Sequence, residues 1–305
     1  MDLFYYHDKA GNFGDDLNAW LWDELLPEFR DMDPGVTLVG VGTILNKDLD
    51  LPSTKKLVVG SGCGYGNLPE FDDEDGWDIR CVRGPKTAKQ LGLDPELGVL
   101  DPAMMIPLLP EFAGIEKSAD SVIFIPHHST AERHPWSDIL RGSGIDFTSP
   151  RGEAKEVIRK IAGARLVLAE SMHAAILADA FRTPWIPVSL SDTFNHFKWN
   201  DFAQSLGIDL KVIELFPEIA KIKTLLGRSP AHQGSPGAGS AQSRPATAPA
   251  PGWRRAIRIR IERLLLRGRM KNVLGTRPTL SDENTLRSKQ EKLQAILDVI
   301  RNDYS

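Results

Sequence analysis

The sequence has 305 residues, and its 41 acidic residues outnumber its 37 Lys and Arg, giving a formal net charge of −4. Its 41% apolar and 26% charged fractions exclude wholesale disorder and a collagen-like fibre. No run of about 18 apolar residues is present and residues 1–7 carry no basic leader, so we expect neither a spanning helix nor a secretory signal. Two cysteines are too few for a disulfide scaffold, and a cytoplasmic location is the default expectation.

The near-neutral total hides an uneven distribution of charge. Residues 1–227 carry 22 basic and 35 acidic residues, a net of −13, whereas residues 253–305 carry 13 basic and 6 acidic residues, a net of +7. Between them, residues 228–252 contain only two arginines and are mostly Ala, Pro, Gly and Ser. This composition predicts a flexible linker between an acidic body and a basic tail.

Strand and helix patterns alternate through the body. The predicted strands are 2–7, 36–41, 56–59, 78–82, 121–125, 166–169 and 185–188, and the predicted helices are 15–29, 85–91, 153–161, 171–181 and 194–206. Alternating units of this kind predict an α/β fold with parallel sheets. Two sets of units predict two Rossmann-like domains, residues 1–115 and 116–227, joined near residues 109–119.

The basic tail, residues 253–305, begins with a candidate amphipathic helix at 253–265 and contains a second predicted helix at 281–301. Two hypotheses for the first helix carry equal weight. One is peripheral attachment to the anionic inner face of the plasma membrane. The other is docking on the acidic body by charge attraction. Nucleic-acid binding is not expected, since no groove-reading or aromatic pattern accompanies the arginines.

Ligands in open α/β sheets bind beyond the C-terminal ends of the strands, so the residues that follow each strand are the candidate site residues. Asn12, Asp15 and Asp16 lie in a glycine-bracketed turn after the first strand. An anion-binding turn is one interpretation. The other, slightly favoured by the spacing, is a plain turn in which Asp15 or Asp16 caps the helix.

The next two strand ends carry a glycine-rich loop and an arginine. Residues 60–66 contain four glycines, among them Gly62 and Gly64, so the backbone can approach a ligand closely. The loop lacks the Walker pattern, and a plain mobile loop is an equal alternative. Arg83 is well placed to hold a phosphate or carboxylate, with a surface arginine as the alternative.

His127 and His128 follow a strand in the second half of the chain. They are candidate phosphate contacts or proton carriers. Adjacent side chains on an extended chain point in opposite directions, so we expect no metal site here.

The last candidate segment follows the strand at 166–169. Glu170, Ser171 and His173 stand where the strand passes directly into a helix of small residues. His173 falls in the first helical turn, near the positive end of the helix dipole, which favours a functional histidine over a structural one.

Taken together, these segments resemble the polysaccharide pyruvyl transferase family over roughly residues 3–208, in particular its bacterial exopolysaccharide and succinoglycan branch. The resemblance is carried by four groups of residues: 12–18, 60–66, 82–85 with Asp101 and Pro102, and 170–176 with Thr183 and Pro184. It implies a fold like that of the GT-B glycosyltransferases, with two Rossmann-like domains facing a cleft.

The resemblance further implies phosphoenolpyruvate as donor substrate, no cofactor, and a sugar of an exopolysaccharide or lipid-linked oligosaccharide as acceptor. The product is a pyruvate ketal, with His173 as the catalytic histidine and Arg83 binding the donor. Many members carry an arginine near the histidine, but here the preceding pair is Ser171 and Met172. Another group must therefore meet the donor's charge. The candidates are Arg165, His127, His128 and Lys198.

The chemistry of the residues agrees with this implication. A histidine with a pKa near 7 suits protonation of the enol carbon. Glu170 or Asp15 is a candidate to accept a sugar hydroxyl proton. Two alternatives remain: a GT-B glycosyltransferase that uses a nucleotide sugar, and a non-catalytic protein that binds a sugar or an anion.

Overall fold

A computed structural model gives the fold, and it describes residues 1–47, 49, 51, 55–69, 76–190, 194–215 and 264–305. The predicted linker at 228–252 lies outside the described residues. The predicted helix at 253–265 does too, except for its last two residues.

The first half of the chain forms a four-stranded parallel sheet in the order β1-β2-β3-β4. Val36–Val39 is a central strand that is buried along its whole length, because apolar clusters cover both of its faces: Val36 and Leu38 pack in one cluster and Val39 in another. The strands are β1 (Asp2–Phe4), β2 (Val36–Val39), β3 (Lys55–Val59) and β4 (Trp77–Cys81). The helices of this half are α1 (Phe13–Asp16), α2 (Asn18–Leu25) and α3 (Pro85–Gln90).

The second half forms a five-stranded parallel sheet in the order β6-β5-β7-β8-β9. Since β5 is flanked by β6 and β7, the strand order reverses there, as in doubly wound sheets. The strands are β5 (Val122–Ile125), β6 (Asp146–Phe147), β7 (Leu166–Ala169), β8 (Trp185–Ser189) and β9 (Ile213–Glu214). The helices are α4 (His128–Ala131), α5 (Trp136–Leu140), α6 (Ala154–Gly163), α7 (Met172–Ala180) and α8 (His196–Ser205).

The predicted α/β alternation with parallel sheets is confirmed. The prediction was wrong for the single helix at 15–29, which is divided into α1, α2 and the 3₁₀ helix Phe29–Asp31. Pro27 explains the second break, since a residue before proline avoids helical geometry. Glu28 then adopts a left-handed φ of +64°.

Helix ends follow the signals in the sequence. Pro85 occupies the first turn of α3, and Gly92 follows that helix with a φ of +71°. The Glu153 carboxylate accepts from two backbone N–H groups at the start of α6. The Asn195 side chain accepts from Lys198 N in the same way at the start of α8.

One apolar core connects the two sheets. It contains Leu21 and Leu57 from the first half and Ile125 and Ala175 from the second. Helix α7 packs against the 3₁₀ helix Pro102–Leu108, which lies in the connection between the halves. The strand-end loops of both sheets are therefore held in fixed positions relative to each other.

The described part of the basic tail belongs to the same structure. A helix at residues 264–273, α9, buries Leu266, Met270 and Val273 beside the second sheet. Trp185 and Thr279 then pair in an antiparallel bridge. The last helix, α10 (Glu283–Tyr304), buries four apolar side chains in the shared core: Leu286, Leu293, Leu297 and Ile300.

Polar contacts also fix the end of α10 to the first sheet. The Tyr304 hydroxyl donates to Asp78 at 2.6 Å, and Asp303 pairs with Arg80 at 2.7 Å. Residues 264–305 thus dock on the body mainly through apolar side chains, with these pairs at the edge. Among the described residues, no helix is both long enough and apolar enough to span a membrane.

Candidate functional site

The site lies where the C-terminal strand ends of the two sheets meet. The backbone N–H of Phe13, after β1, donates to Pro150 O at 2.9 Å. The Asn195 side chain, after β8, donates to Gly64 O at 2.8 Å. The reversal of strand order between β5 and β7 marks the position where doubly wound sheets bind ligands. Both β5 and β7 end at this junction.

Lys198 is the central cation of the junction. It projects from α8 and is only 8% exposed, and its Nζ donates to the Tyr65 hydroxyl at 2.8 Å across the two halves. Its charge acts on four titratable groups from other elements: Asp15, His127, His128 and His173. The charge of a single ammonium group thus influences the protonation of three imidazoles and one carboxyl group.

His173 stands in the first turn of α7, as predicted, and is 8% exposed. Burial lowers its pKa to about 3, with further lowering from the charges of Lys198 and Arg83. Its Nε2 is buried without a hydrogen-bond partner. A buried polar atom without a partner costs free energy, and an incoming group that forms a hydrogen bond with Nε2 would remove that cost.

His127 and His128 lie side by side, with ring centroids 4.1 Å apart. The expectation that they point in opposite directions was wrong, because the chain turns into α4 at His127 and strand alternation ends there. His127 Nδ1 lies 3.3 Å from Ser129 N and 2.8 Å from the Ser129 hydroxyl, and a neutral ring with its proton on Nε2 can accept from both. Burial lowers the pKa of both histidines, that of His127 to about 2, and Lys198 adds to this effect.

Asn12, Asp15 and Asp16 form the turn between β1 and α1. Asn12 caps α1, so the expectation of an aspartate cap was wrong. Its Nδ2 donates to Asp15 Oδ2 at 2.5 Å. Asp16 accepts from Asn12 N at 3.1 Å and faces His7 at 3.4 Å. The two aspartates thus hold the turn closed together with Asn12.

Arg83 is fully buried rather than exposed at the strand end. Its Nε donates to Asp201 at 3.0 Å, Nη1 to Thr43 Oγ1 at 2.8 Å, and Nη2 to Cys63 O at 3.2 Å. Asp201 lies on α8, so this ion pair joins the two halves of the chain. The predicted donor contact of Arg83 stays a prediction, and its observed contacts are within the protein.

The glycine loop passes directly over the Arg83 guanidinium. A Cβ added at Gly62 would lie 2.3 Å from Arg83 Cζ, so only glycine fits there. Gly64 has a φ of +141°, which side-chain-bearing residues rarely adopt. The backbone of the glycine loop therefore lies close to Arg83 and to the start of α8. This position brings Tyr65 beside Lys198.

Comparison with known proteins decides the family. The family model of the polysaccharide pyruvyl transferases matches residues 73–192. A curated relative, the "Succinoglycan biosynthesis protein ExoV" of Rhizobium meliloti (strain 1021), is 55% identical over 208 residues. The chain belongs to the polysaccharide pyruvyl transferase family. The alignment covers 68% of this chain and 66%, just under two thirds, of the relative. No solved structure matches the chain at a significant level.

The predicted catalytic role of Glu170 in this pyruvyl transferase family member stays a prediction. Its side chain is 3% exposed, and three donors occupy its oxygens. Oε2 accepts from His127 N at 3.0 Å and from the Thr130 hydroxyl, and Oε1 accepts from Leu190 N at 3.1 Å. These contacts join the ends of β5, β7 and β8. Ser171, 7% exposed, precedes α7 without a side-chain cap bond.

Sequence reasoning missed two residues that build the site. Asp201 follows Lys198 by three positions on α8, beside the apolar Trp199 and Phe202. A pair of opposite charges among apolar residues of one helix indicates buried charges, and this pattern could have identified Asp201. Asn18 is also fully buried. It bonds the Trp22 indole and both polar backbone atoms of Val41, and nothing in the sequence distinguishes it from a surface amide.

Among the described residues, no three His, Cys, Asp or Glu side chains are placed to hold a metal ion. Arg165, one candidate for the missing cation of the pyruvyl transferase pattern, immediately precedes β7 and is exposed. It lies at the opposite edge of the sheet from His173. Among the candidates for the missing cation, Lys198 is the one whose charge lowers the pKa of His173.

Proposed function

We propose that this pyruvyl transferase moves the pyruvyl group of phosphoenolpyruvate onto two hydroxyls of one sugar, forming a pyruvate ketal and releasing phosphate. The observation that carries the proposal is the buried Lys198 ammonium at the junction of the sheets, whose charge helps to keep three nearby imidazoles neutral. Phosphoenolpyruvate brings a phosphate and a carboxylate, which need a cation and N–H donors.

Lys198 takes the place of the arginine that many relatives carry near the histidine. Its ammonium group supplies the permanent charge, and His127 supplies an Nε2–H donor, since Ser129 N occupies its Nδ1. The glycine loop fixes Lys198 through Tyr65. In this proposal, Arg83 holds the loop through its hydrogen bond to Cys63 O. It adds positive charge near His173 but does not contact the donor substrate.

His173 acts as the general acid in the proposed reaction. With a pKa of about 3, its imidazole is neutral in the protein without donor. A multiply negative donor opposes the field of Lys198 and raises the pKa of His173, so that a proton is taken up as the donor binds. The imidazolium then protonates the methylene carbon of the donor while a hydroxyl oxygen bonds to the neighbouring carbon.

The proposed acceptor is a sugar of an exopolysaccharide, free or as a lipid-linked oligosaccharide. The name of the Rhizobium relative places that protein in succinoglycan biosynthesis, which supports an acceptor of this class. Leu264 and Leu265, 64% and 50% exposed at the start of α9, continue the basic segment 253–263. They support contact of this part of the chain with a membrane surface. A cytoplasmic location and a GT-B-like arrangement of the two parallel sheets belong to the same proposal.

The test is phosphate release from phosphoenolpyruvate in the presence and absence of an acceptor. The acceptor is a succinoglycan repeat-unit oligosaccharide whose ketal has been removed by mild acid. Acceptor-dependent release, with a ketal methyl signal in the product, is expected. Release that needs a nucleotide sugar instead, or binding without turnover, contradicts the proposal.

The catalytic histidine has a matched control on the neighbouring helix. His173→Ala should abolish acceptor-dependent phosphate release while the far-ultraviolet circular dichroism stays unchanged. His196→Ala, an exposed histidine two residues before Lys198, should retain near-wild-type turnover. A His173→Ala protein of near-wild-type rate contradicts the assignment.

A further inference from the structure

The two candidate bases, Asp15 and Glu170, differ in what already occupies their oxygens. We infer that Asp15, and not Glu170, is the general base that removes the proton from the first sugar hydroxyl. This inference rests on the proposed pyruvyl transfer and assigns one of its proton-transfer steps.

Both carboxylate oxygens of Glu170 already accept hydrogen bonds from the protein. Two backbone N–H groups and the Thr130 hydroxyl donate to its carboxylate, and the side chain is 3% exposed. Protonating it would set an O–H against these donors and loosen the ends of three strands. Its contacts fit a positioning role.

Asp15 is held in place through one oxygen only. Asn12 Nδ2 donates to Oδ2 at 2.5 Å, which fixes the plane of the carboxylate. The other oxygen, Oδ1, lies 3.9 Å from the position that a Cβ on Gly42 would occupy, and no described residue donates a hydrogen bond to it. Gly42 has a φ of +143°, which side-chain-bearing residues rarely adopt. Because residue 42 has no side chain, none from that position covers Oδ1.

Asp15 also stands beside the proposed acid. Its neighbour Gly14 lies against the His173 ring, and Lys198 acts on both Asp15 and His173. The carboxylate comes from the first sheet and the imidazole from the second. A donor held by Lys198 is therefore reached by a base from one half of the chain and by an acid from the other.

Burial makes Asp15 a stronger base than an ordinary aspartate. It is the largest cause that raises the pKa of Asp15, to a net value of about 7, and the negative charges of Asp16 and Asp8 contribute to the increase. The Asn12 hydrogen bond and the Lys198 charge oppose this increase. A pKa near the working pH is the most effective for general base catalysis.

The proton balance closes over the two steps. In the first step, the hydroxyl proton moves to Asp15 Oδ1, and the oxygen bonds to the phosphate-bearing carbon. The electron pair of the carbon–carbon double bond takes a proton from the His173 imidazolium. In the second step, the other hydroxyl displaces phosphate. The proton on Asp15 leaves with the phosphate, and the neutral His173 accepts the second hydroxyl proton.

The test compares Asp15→Asn with Asp23→Asn, a half-exposed aspartate of α2 that pairs with Arg30 on the surface. With phosphoenolpyruvate and the deketalised oligosaccharide, Asp15→Asn should lower kcat by at least about 100-fold. The Kd for phosphoenolpyruvate, from thermal-shift titration, should stay within about fivefold of wild type. The acidic limb of the kcat/KM profile should disappear in Asp15→Asn. Asp23→Asn should match wild type throughout.

A second variant separates the base from a folding effect. Asp15→Glu restores a carboxylate and should be at least about tenfold faster than Asp15→Asn. An Asp15→Asn protein with more than a tenth of wild-type kcat, or with its acidic limb intact, overturns the inference and leaves the proposed transfer standing. A wild-type protein that releases no phosphate overturns both.

Discussion

Gly14 lies directly against the imidazole of His173 across the junction of the two sheets, so that a Cβ on residue 14 would lie 2.1 Å from Nδ1. Gly14 belongs to α1 of the first half, and His173 to α7 of the second. The ring orientation of the proposed acid is therefore set by a residue from the other half of the chain.

Gly14→Ala should displace the His173 ring, because the nearest atoms belong to a buried imidazole that has little room to move. We expect a loss of unfolding free energy of about 1–3 kcal/mol and a large fall in turnover. Gly268→Ala is the control, since nothing lies within 4 Å of a Cβ at that helical position. It should be neutral or stabilising by up to about 1 kcal/mol. Urea unfolding and phosphate release measure the two effects, and equal behaviour of both variants contradicts the contact.

Asp201→Asn should leave the Arg83 guanidinium buried without its anion. Breaking a buried ion pair costs about 3–5 kcal/mol, and the amide retains only one of the two oxygens that accept from Thr87 N and Oγ1. Asp209→Asn removes an aspartate that pairs with Lys211 on the surface, and should change stability by less than about 1 kcal/mol. Denaturant unfolding checks both values. A stable Asp201→Asn protein would show that the pair does not hold the halves together.

Lys198→Gln should weaken donor binding and raise the pKa values of three histidines. Its positive charge opposes protonation of His127, His128 and His173, so its removal moves each pKa upward, although burial still holds them low. Loss of one charge-assisted contact predicts about a 10- to 100-fold increase in the Kd for phosphoenolpyruvate. Nuclear magnetic resonance titration of the imidazole protons and thermal-shift titration with the donor measure these changes. Lys89→Gln, on the exposed face of α3, should change neither.

The ionisation of Asp15 should make the free energy of unfolding depend on pH. Burial raises its pKa from 3.8 in the unfolded chain to about 7 in the fold, so the unfolded state releases its proton first as the pH rises. The free energy of unfolding therefore falls between about pH 4 and pH 7, and it loses no more from this group above that range. The melting temperature of Asp15→Asn minus that of wild type should therefore increase over this interval and then level off. A constant difference would show that Asp15 has an ordinary pKa.

Leu293→Ala tests whether the last helix is part of the core. Leu293 is fully buried in the cluster shared by both sheets, so its truncation should cost about 2–5 kcal/mol. Val299→Ala, on the same helix at 49% exposure, should cost less than about 0.5 kcal/mol. Similar values for the two variants would mean that α10 does not contribute to the stability of the body.

The local features of this protein follow from short stretches of its sequence. Apolar runs identified the central strands, because these bury both faces. Pro85 and Gly92 marked the ends of α3, because their backbone chemistry acts within one turn. The order of the strand-end motifs also identified the family and placed His173 in the first turn of its helix.

Which of those strand-end groups are free to act depends on the packing of the two halves. Arg83 and Glu170 looked available in the sequence, but Asp201, 118 residues from Arg83, and Leu190, 20 residues from Glu170, occupy them in the fold. Lys198 becomes the central cation because α8 packs against the loops of the other sheet. The −13 body and +7 tail also proved to share one core through residues 264–305. Partners so distant along the chain meet through packing, and local sequence patterns carry no information about packing between elements.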